Sequence, residues 1–118
     1  MAELELYRRS PSIVWGALFI VVYHYHVPPE RAKEYVLLER RAVEICLEHG
    51  CLAIELYRDA EDPSHWMEIE HFRDEEHYLK VKEAVEGDER MKRLYEELTN
   101  LIDVERCHVE KETYLRML

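Results

Sequence analysis

The sequence predicts an α+β domain: a four-stranded antiparallel sheet with two helices on one face, in the chain order β-α-β-β-α-β. Three observations lead there. Residues 18–27 are the longest apolar run, rich in β-branched and aromatic residues and closed by Pro28-Pro29. Such a run reads as a strand buried on both faces, in the middle of a sheet. Two later stretches alternate in side-chain type about a turn-rich segment, as a hairpin does. Two others carry apolar residues at helical spacing.

Strand one spans roughly 17–27. Its last residues place Tyr23 and Tyr25 on one face and His24 and His26 on the other. Pro28-Pro29-Glu30 opens helix one, with proline in the first turn and an acid near the start. The helix runs to about His49, and Gly50 is its left-handed stop. Tyr35, Leu38, Ala42, Ile45 and Cys46 fall on one broad apolar arc. Glu39 falls inside that arc, which puts a carboxylate either at a cavity or at the arc's edge. Strand two, about 51–58, alternates Leu52, Ile54 and Leu56 with Ala53, Glu55 and Tyr57. Residues 59–64 form a turn cluster with Pro63.

Strand three, about 65–73, puts Trp66, Glu68, Glu70 and Phe72 on one face and His65, Met67, Ile69 and His71 on the other. Asp74 reads as an N-cap, followed by Glu75 and Glu76. Helix two comes in two pieces, broken at Glu86-Gly87-Asp88, with Asp88 placed to cap the second. Strand four is expected at about 104–112, carrying Arg106 and His108 against Cys107 and Val109. No linker or repeat interrupts the chain, so it reads as one domain over 1–118. Residues 1–16 form an N-terminal extension and 113–118 a C-terminal tail.

This order is the ferredoxin-like split βαβ unit, with usual strand order 4-1-3-2 and strand one central. Helices on one face leave the other bare. That face carries apolar side chains of strands one and three, so a homodimer joined sheet to sheet is expected.

Composition narrows the partners. The 118 residues carry a net charge of −10. That argues against nucleic acid, which needs a basic face, and against an anionic membrane surface. Arg8-Arg9 before an apolar run is reminiscent of an export signal. Acids precede the pair, however, and no small-residue cleavage site follows. The run is also too short to span a membrane. Three cysteines, Cys46, Cys51 and Cys107, give no disulfide framework and read as small reduced core residues, which favours a cytoplasmic setting. Asn100 is the only asparagine, glutamine is absent, and glycines number 3. High thermal stability is expected.

The segments Gly50-Cys51-Leu52, Glu55-Leu56-Tyr57-Arg58-Asp59, Glu61-Asp62-Pro63, Trp66 and Glu70-His71-Phe72-Arg73-Asp74-Glu75-Glu76 resemble the antibiotic biosynthesis monooxygenase-like family of the dimeric α/β-barrel superfamily. The resemblance implies a dimer whose sheets close into a barrel, with a pocket between each sheet and its own helices. It also implies cofactor-free oxygenation of aromatic polyketides or quinols. Haem degradation, found elsewhere in the superfamily, places an Asn on strand one and a Trp on strand three. Here Tyr23 or Tyr25 and Phe72 stand in those regions.

Two constellations carry candidate chemistry. Tyr23, Tyr25, Trp66 and Phe72, with Glu39, form the aromatic wall of a substrate cleft if the Trp66 face meets the helices, as the resemblance implies. Glu68 and Glu70 are then the candidate catalytic carboxylates. A desolvated one has a raised pKa and takes a phenolic proton. The bland alternative is a packed core whose acids pair with cations on the helices. The second constellation is His24, His26 and His65, with His108 as a further neighbour. Grouped imidazoles bind divalent metals, but His-x-His on a strand is a weak motif and solvated or stacked rings are the ordinary outcome. No phosphate loop, nucleophile elbow or helical His-Glu-x-x-His motif occurs, so no cofactor is called for. The leading expectation is a dimeric barrel binding a small aromatic or quinol-like molecule, as a cofactor-independent monooxygenase. The alternatives are a non-catalytic ligand-binding or assembly module and a metal-dependent activity of the histidines.

Overall fold

The computed structural model describes residues 16–101 and 109–118. The expected N-terminal extension lies outside these residues. So does the first part of the expected fourth strand, with Arg106, Cys107 and His108. The elements are β1 (Phe19–His26), a 3-10 turn (Pro29–Arg31), α1 (Ala32–Glu48), β2 (Ala53–Arg58), β3 (His65–Phe72), α2 (Glu75–Glu86), α3 (Glu89–Leu101) and β4 (Glu110–Leu115). The sheet order is β2-β3-β1-β4, with β1 antiparallel to both neighbours. This is the ferredoxin-like arrangement, with β1 central. Val21 and Val22, on opposite faces of β1, are both buried, as an apolar central strand requires.

Strand four differs from expectation. It runs over Glu110–Leu115, into the residues read as a tail. The apolar residues Val104, Cys107 and Val109 pulled the sequence-based boundary toward the N-terminus. The observed strand is mostly polar and exposed because it is the sheet's edge.

Local chemistry sets the helix ends. α1 stops in a Schellman motif: the Gly50 N–H donates to Leu47 O at 3.1 Å and the Cys51 N–H to Cys46 O at 3.2 Å. Gly50 has φ +109°, which a side chain would strain. Asp74 caps α2 by accepting from the His77 N–H at 2.7 Å. Asp88 caps α3, its Oδ1 accepting from the Arg90 N–H at 2.8 Å, and its other oxygen lies 2.8 Å from His49 Nε2. The arginine and histidine hold the Asp88 carboxyl well below the usual carboxylate range.

The core lies between sheet and helices in three clusters. Phe19, Val21 and Phe72 pack on Tyr78 and Val81 of α2. Tyr25, Val27 and Trp66 pack on Tyr35 of α1. Ala42 and Ile45 join α1 to Leu94 of α3. The odd positions of β1 and the even positions of β3 therefore face the helices. The opposite face carries Ile20, Val22, Met67 and Ile69, together with the histidines.

Candidate functional site

The pleat brings Tyr23 and Tyr25 of β1 beside Glu68 and Glu70 of β3, since Tyr23 pairs with Glu68 across the strands. α1 adds Tyr35 and Glu39 from above, one helical turn apart. Together these six line a cleft of about 250 Å³ between sheet and helices. Tyr95, Leu98 and Thr99 of α3 and Val109 before β4 complete it. Tyr95 and Val109 are well exposed, so they form the cleft's outer side.

The polar groups bond to one another. The Tyr35 O–H donates to the Tyr25 hydroxyl, with Glu39 Oε2 a second acceptor at 3.3 Å. Glu68 hydrogen-bonds both Glu39 and Glu70. Three carboxyls in one low-dielectric space cannot all ionise. Burial first, then the neighbouring Glu39, pushes Glu68 well above the usual carboxylate range. Burial raises Glu70 as well, while the hydrogen bond from Glu68 and the Lys111 ammonium oppose that rise. Glu68 therefore keeps its proton, and Glu70 too stays above the usual carboxylate range, though held there less by its neighbours. Burial and the nearby acids also raise the phenols Tyr23 and Tyr35. The cleft thus offers a proton donor, two further carboxyl groups next to it and a ring of phenols. It can orient a flat ligand and accept a proton from it.

Five of the residues singled out from sequence converge here: Tyr23, Tyr25, Glu39, Glu68 and Glu70. Two do not line the cleft. Trp66 is drawn into the core edge-on to Tyr35, with ring centroids 5.3 Å apart, and its buried Nε1–H has no acceptor among the described residues. Phe72 packs against Tyr78 and lines a neighbouring cavity of about 190 Å³ with Cys46, Cys51 and Val81. Alternation gives the face a residue points to. It does not give depth in the packing: Trp66 is covered by Tyr35, and Phe72 is drawn against Tyr78. That second cavity meets the first at Tyr23 and Glu70, which line both. Burial pushes the Cys46 and Cys51 thiols up to about 12 and about 11, so they are inert there.

Sequence reasoning missed Tyr35, Tyr95, Leu98, Thr99 and Val109. The pairing of Tyr35 with Glu39 at i, i+4 on an otherwise apolar arc was the available signal. For Thr99 and Val109 there was none, because they come into the site through the placement of α3 and β4.

The histidines gather on the opposite sheet face. His65 stacks on His24, with centroids 5.3 Å apart, and His26 lies 5.4 Å from it. His65 Nδ1 is 3.0 Å from Asp59 Oδ2, and its Nε2 is 3.1 Å from His24 Nδ1. An ionised Asp59 only accepts, so His65 Nδ1 carries the proton of that bond. The His65 hydrogen bond and two backbone N–H groups hold Asp59 down at about 2. His26 Nδ1 lies 3.0 Å from Ser64 Oγ. The three rings are thus brought together as expected, but as a hydrogen-bonded stack. Among the described residues, no group of three or more His, Cys, Asp or Glu side chains is arranged to hold a metal ion.

Residues 18–85, more than half of the chain, match the family model described as antibiotic biosynthesis monooxygenase. The chain belongs to that family. Among curated proteins, none matches it in sequence. Solved structures share its fold. A conserved protein from Methanosarcina mazei Go1 is 22% identical with a TM-score of 0.64, over 86% of this chain and 95% of that one. SnoaB, a cofactor-independent oxygenase from Streptomyces nogalater solved as a mutant, is 13% identical with a TM-score of 0.64, over 85% and 93%. A Pseudomonas aeruginosa protein is 16% identical with a TM-score of 0.63, over 86% and 96%. At these identities the likeness concerns the fold. Among the described residues of this family member, no helix is long and apolar enough to cross a membrane.

Proposed function

We propose that the protein is a cofactor-independent monooxygenase, acting as a homodimer on a small aromatic or quinol-like molecule held between sheet and helices. One observation carries the reading. A buried, proton-sharing carboxyl group, Glu39, Glu68 and Glu70, lies against phenols in a cleft of about 250 Å³. That volume is at the small end for ligand pockets and suits one or two fused rings. Family membership and the fold shared with a cofactor-independent oxygenase support the same reaction class.

The chemistry balances with dioxygen as the sole oxidant. The Glu70 carboxylate takes a proton from a ring-activated CH2, leaving an electron pair on carbon. One electron passes to O2 and the two radicals join in a C–O bond. The resulting peroxide anion takes back the proton as a hydroperoxide. Loss of the second C–H proton then breaks the O–O bond. Hydroxide leaves and is protonated to water, and the carbon becomes a carbonyl. Glu68, which holds its proton, hydrogen-bonds the substrate oxygen as charge develops there.

The homodimer rests on the open sheet face. Its apolar Ile20, Met67 and Ile69 are partly exposed and are flanked by Tyr57 and Tyr114, each about half exposed. An isologous sheet-to-sheet contact would cover that surface. Sedimentation at micromolar concentration tests it, and a monomer there removes the dimer. For the reaction, oxygen uptake is measured with a panel of one- and two-ring quinols, whose keto tautomers carry the activated CH2. One-to-one consumption of O2 and substrate is expected. Binding without oxygen uptake across the panel would instead favour the ligand-binding module.

A further inference from the structure

The acid–phenol cleft leaves the outline of its ligand open. Resting on the reading of an aromatic molecule held there, we propose that the adjoining cavity belongs to the same site and takes a short alkyl substituent on the ring, with Cys46, Cys51, Val81 and Val85 as the residues that select it.

The sheet supplies one continuous floor. On its helix-facing side the β1–β3 register sets Tyr23 opposite Glu68 and Val21 opposite Glu70. Tyr23 and Glu70 are therefore diagonal neighbours. The first cleft stands over these two together with Tyr25 and Glu68. The second cavity stands over the same two together with Phe72, the next residue of β3 on that face. α1 passes above both. Tyr35 and Glu39 overhang the first space, and Cys46, about two turns beyond Glu39, overhangs the second. Tyr23, Cys46, Glu70 and Val85 are only partly buried although they line the interior, as surfaces facing a void must be.

The two ends differ in chemistry. Around the first, three carboxyls and the Tyr25 and Tyr35 hydroxyls can hold the oxygens of a quinol. Past Glu70 the lining turns apolar, with both thiols keeping their protons and packing as small hydrophobes. The Cys51 S–H is directed at the backbone carbonyls of Ala53 and His71, at 3.3 and 3.5 Å, so it offers a ligand no hydrogen bond. Methylenes gain by leaving water for such a space, whereas a hydroxyl there loses its water without a replacement. An apolar cavity of about 150 Å³ holds a benzene molecule, so this one, at about 190 Å³, has room for a butyl group. The exposed Lys82 and Glu86, 4.0 Å apart, stand at its solvent side and set the limit for a longer chain.

The test uses hydroquinone, butylhydroquinone and the butyl analogue with a hydroxyl at the chain end, all bound without oxygen so that nothing turns over. Calorimetry should show the butyl compound binding at least about tenfold more tightly than hydroquinone, with the chain hydroxyl removing most of that gain. Val85→Phe, which fills the cavity, should reduce the ratio of the two affinities to about twofold or less. In the wild-type protein with labelled valine and leucine methyls, the butyl protons should show nuclear Overhauser contacts to Val81 and Val85. That measurement carries the test if Val85→Phe does not fold. Contacts to Leu98 and Val109 instead would place the chain at the outer side of the first cleft and overturn the proposal. Equal binding of all three compounds, or an unchanged ratio in folded Val85→Phe, overturns it as well. If none of the rings binds, the aromatic-ligand reading falls and takes this one with it. Selective binding without oxygen uptake removes the oxygenase alone and leaves this proposal standing.

Discussion

The same two strands, β1 and β3, build two unlike surfaces a sheet's thickness apart. On the helix side, Tyr23, Tyr25, Glu68 and Glu70 are covered by α1, and burial keeps on Glu68 a proton that it would lose in water. On the other side, His24, His26 and His65 alternate with those residues along the chain. They share hydrogen bonds with Asp59 and Ser64 and keep contact with solvent. Position on the pleat decides which face a side chain joins. What lies over that face decides its chemistry.

Four experiments break or sharpen this contrast. Phe72→Ala, on the covered face, should cost about 3–5 kcal/mol by leaving a void beside Tyr78, read by chemical denaturation. Its counterpart on the open face, His24→Ala, should cost under about 0.5 kcal/mol in the same experiment. A large loss there would mean the stack is structural. Glu70→Gln should lower oxygen uptake at least about tenfold, whereas His24→Ala should stay within about twofold of wild type. Equal losses would erase the functional distinction between the faces.

The third experiment is the pH dependence of stability. Glu68 has a raised folded-state pKa. Both folded and unfolded chains hold that proton well below the ordinary value of 4.5. As pH rises past it, the unfolded chain releases the proton while the native one keeps it, so stability falls until the folded pKa is passed. Glu68→Gln should flatten that decline and raise the melting temperature at pH 8 by about 5 °C. A steeper decline in the variant would contradict a protonated Glu68. Of least bearing on the contrast, Gly50→Ala should cost about 1–2 kcal/mol through its left-handed backbone alone, with no change in the pH profile.

Much of this was legible beforehand, for identifiable reasons. A doubly apolar strand has one place in an antiparallel sheet, which put β1 at the centre. The Trp66–Phe72 alternation placed both catalytic candidates on one face, and Glu39 declared itself by interrupting an apolar arc. Three things were not legible. Trp66 and Phe72 sink into the core because packing depth leaves no trace in periodicity. Strand four slid toward the C-terminus because an edge strand is specified by backbone pairing with β1 rather than by apolar side chains. The contacts of Tyr35 with Tyr25 and of Lys111 with Tyr78 join residues on different elements, so no local pattern marks them fully.

The alternation of β1 has a further consequence. Inserting a single residue near Val22 would rotate everything beyond it by half a turn, trading phenols for imidazoles inside the cleft. An acid–phenol chamber would thus become a nitrogen-lined one through one codon, while Tyr25 and Val27 would leave their seats in the core beneath α1. The same alternation that builds the chamber therefore also guards it against a shift in frame of the strand.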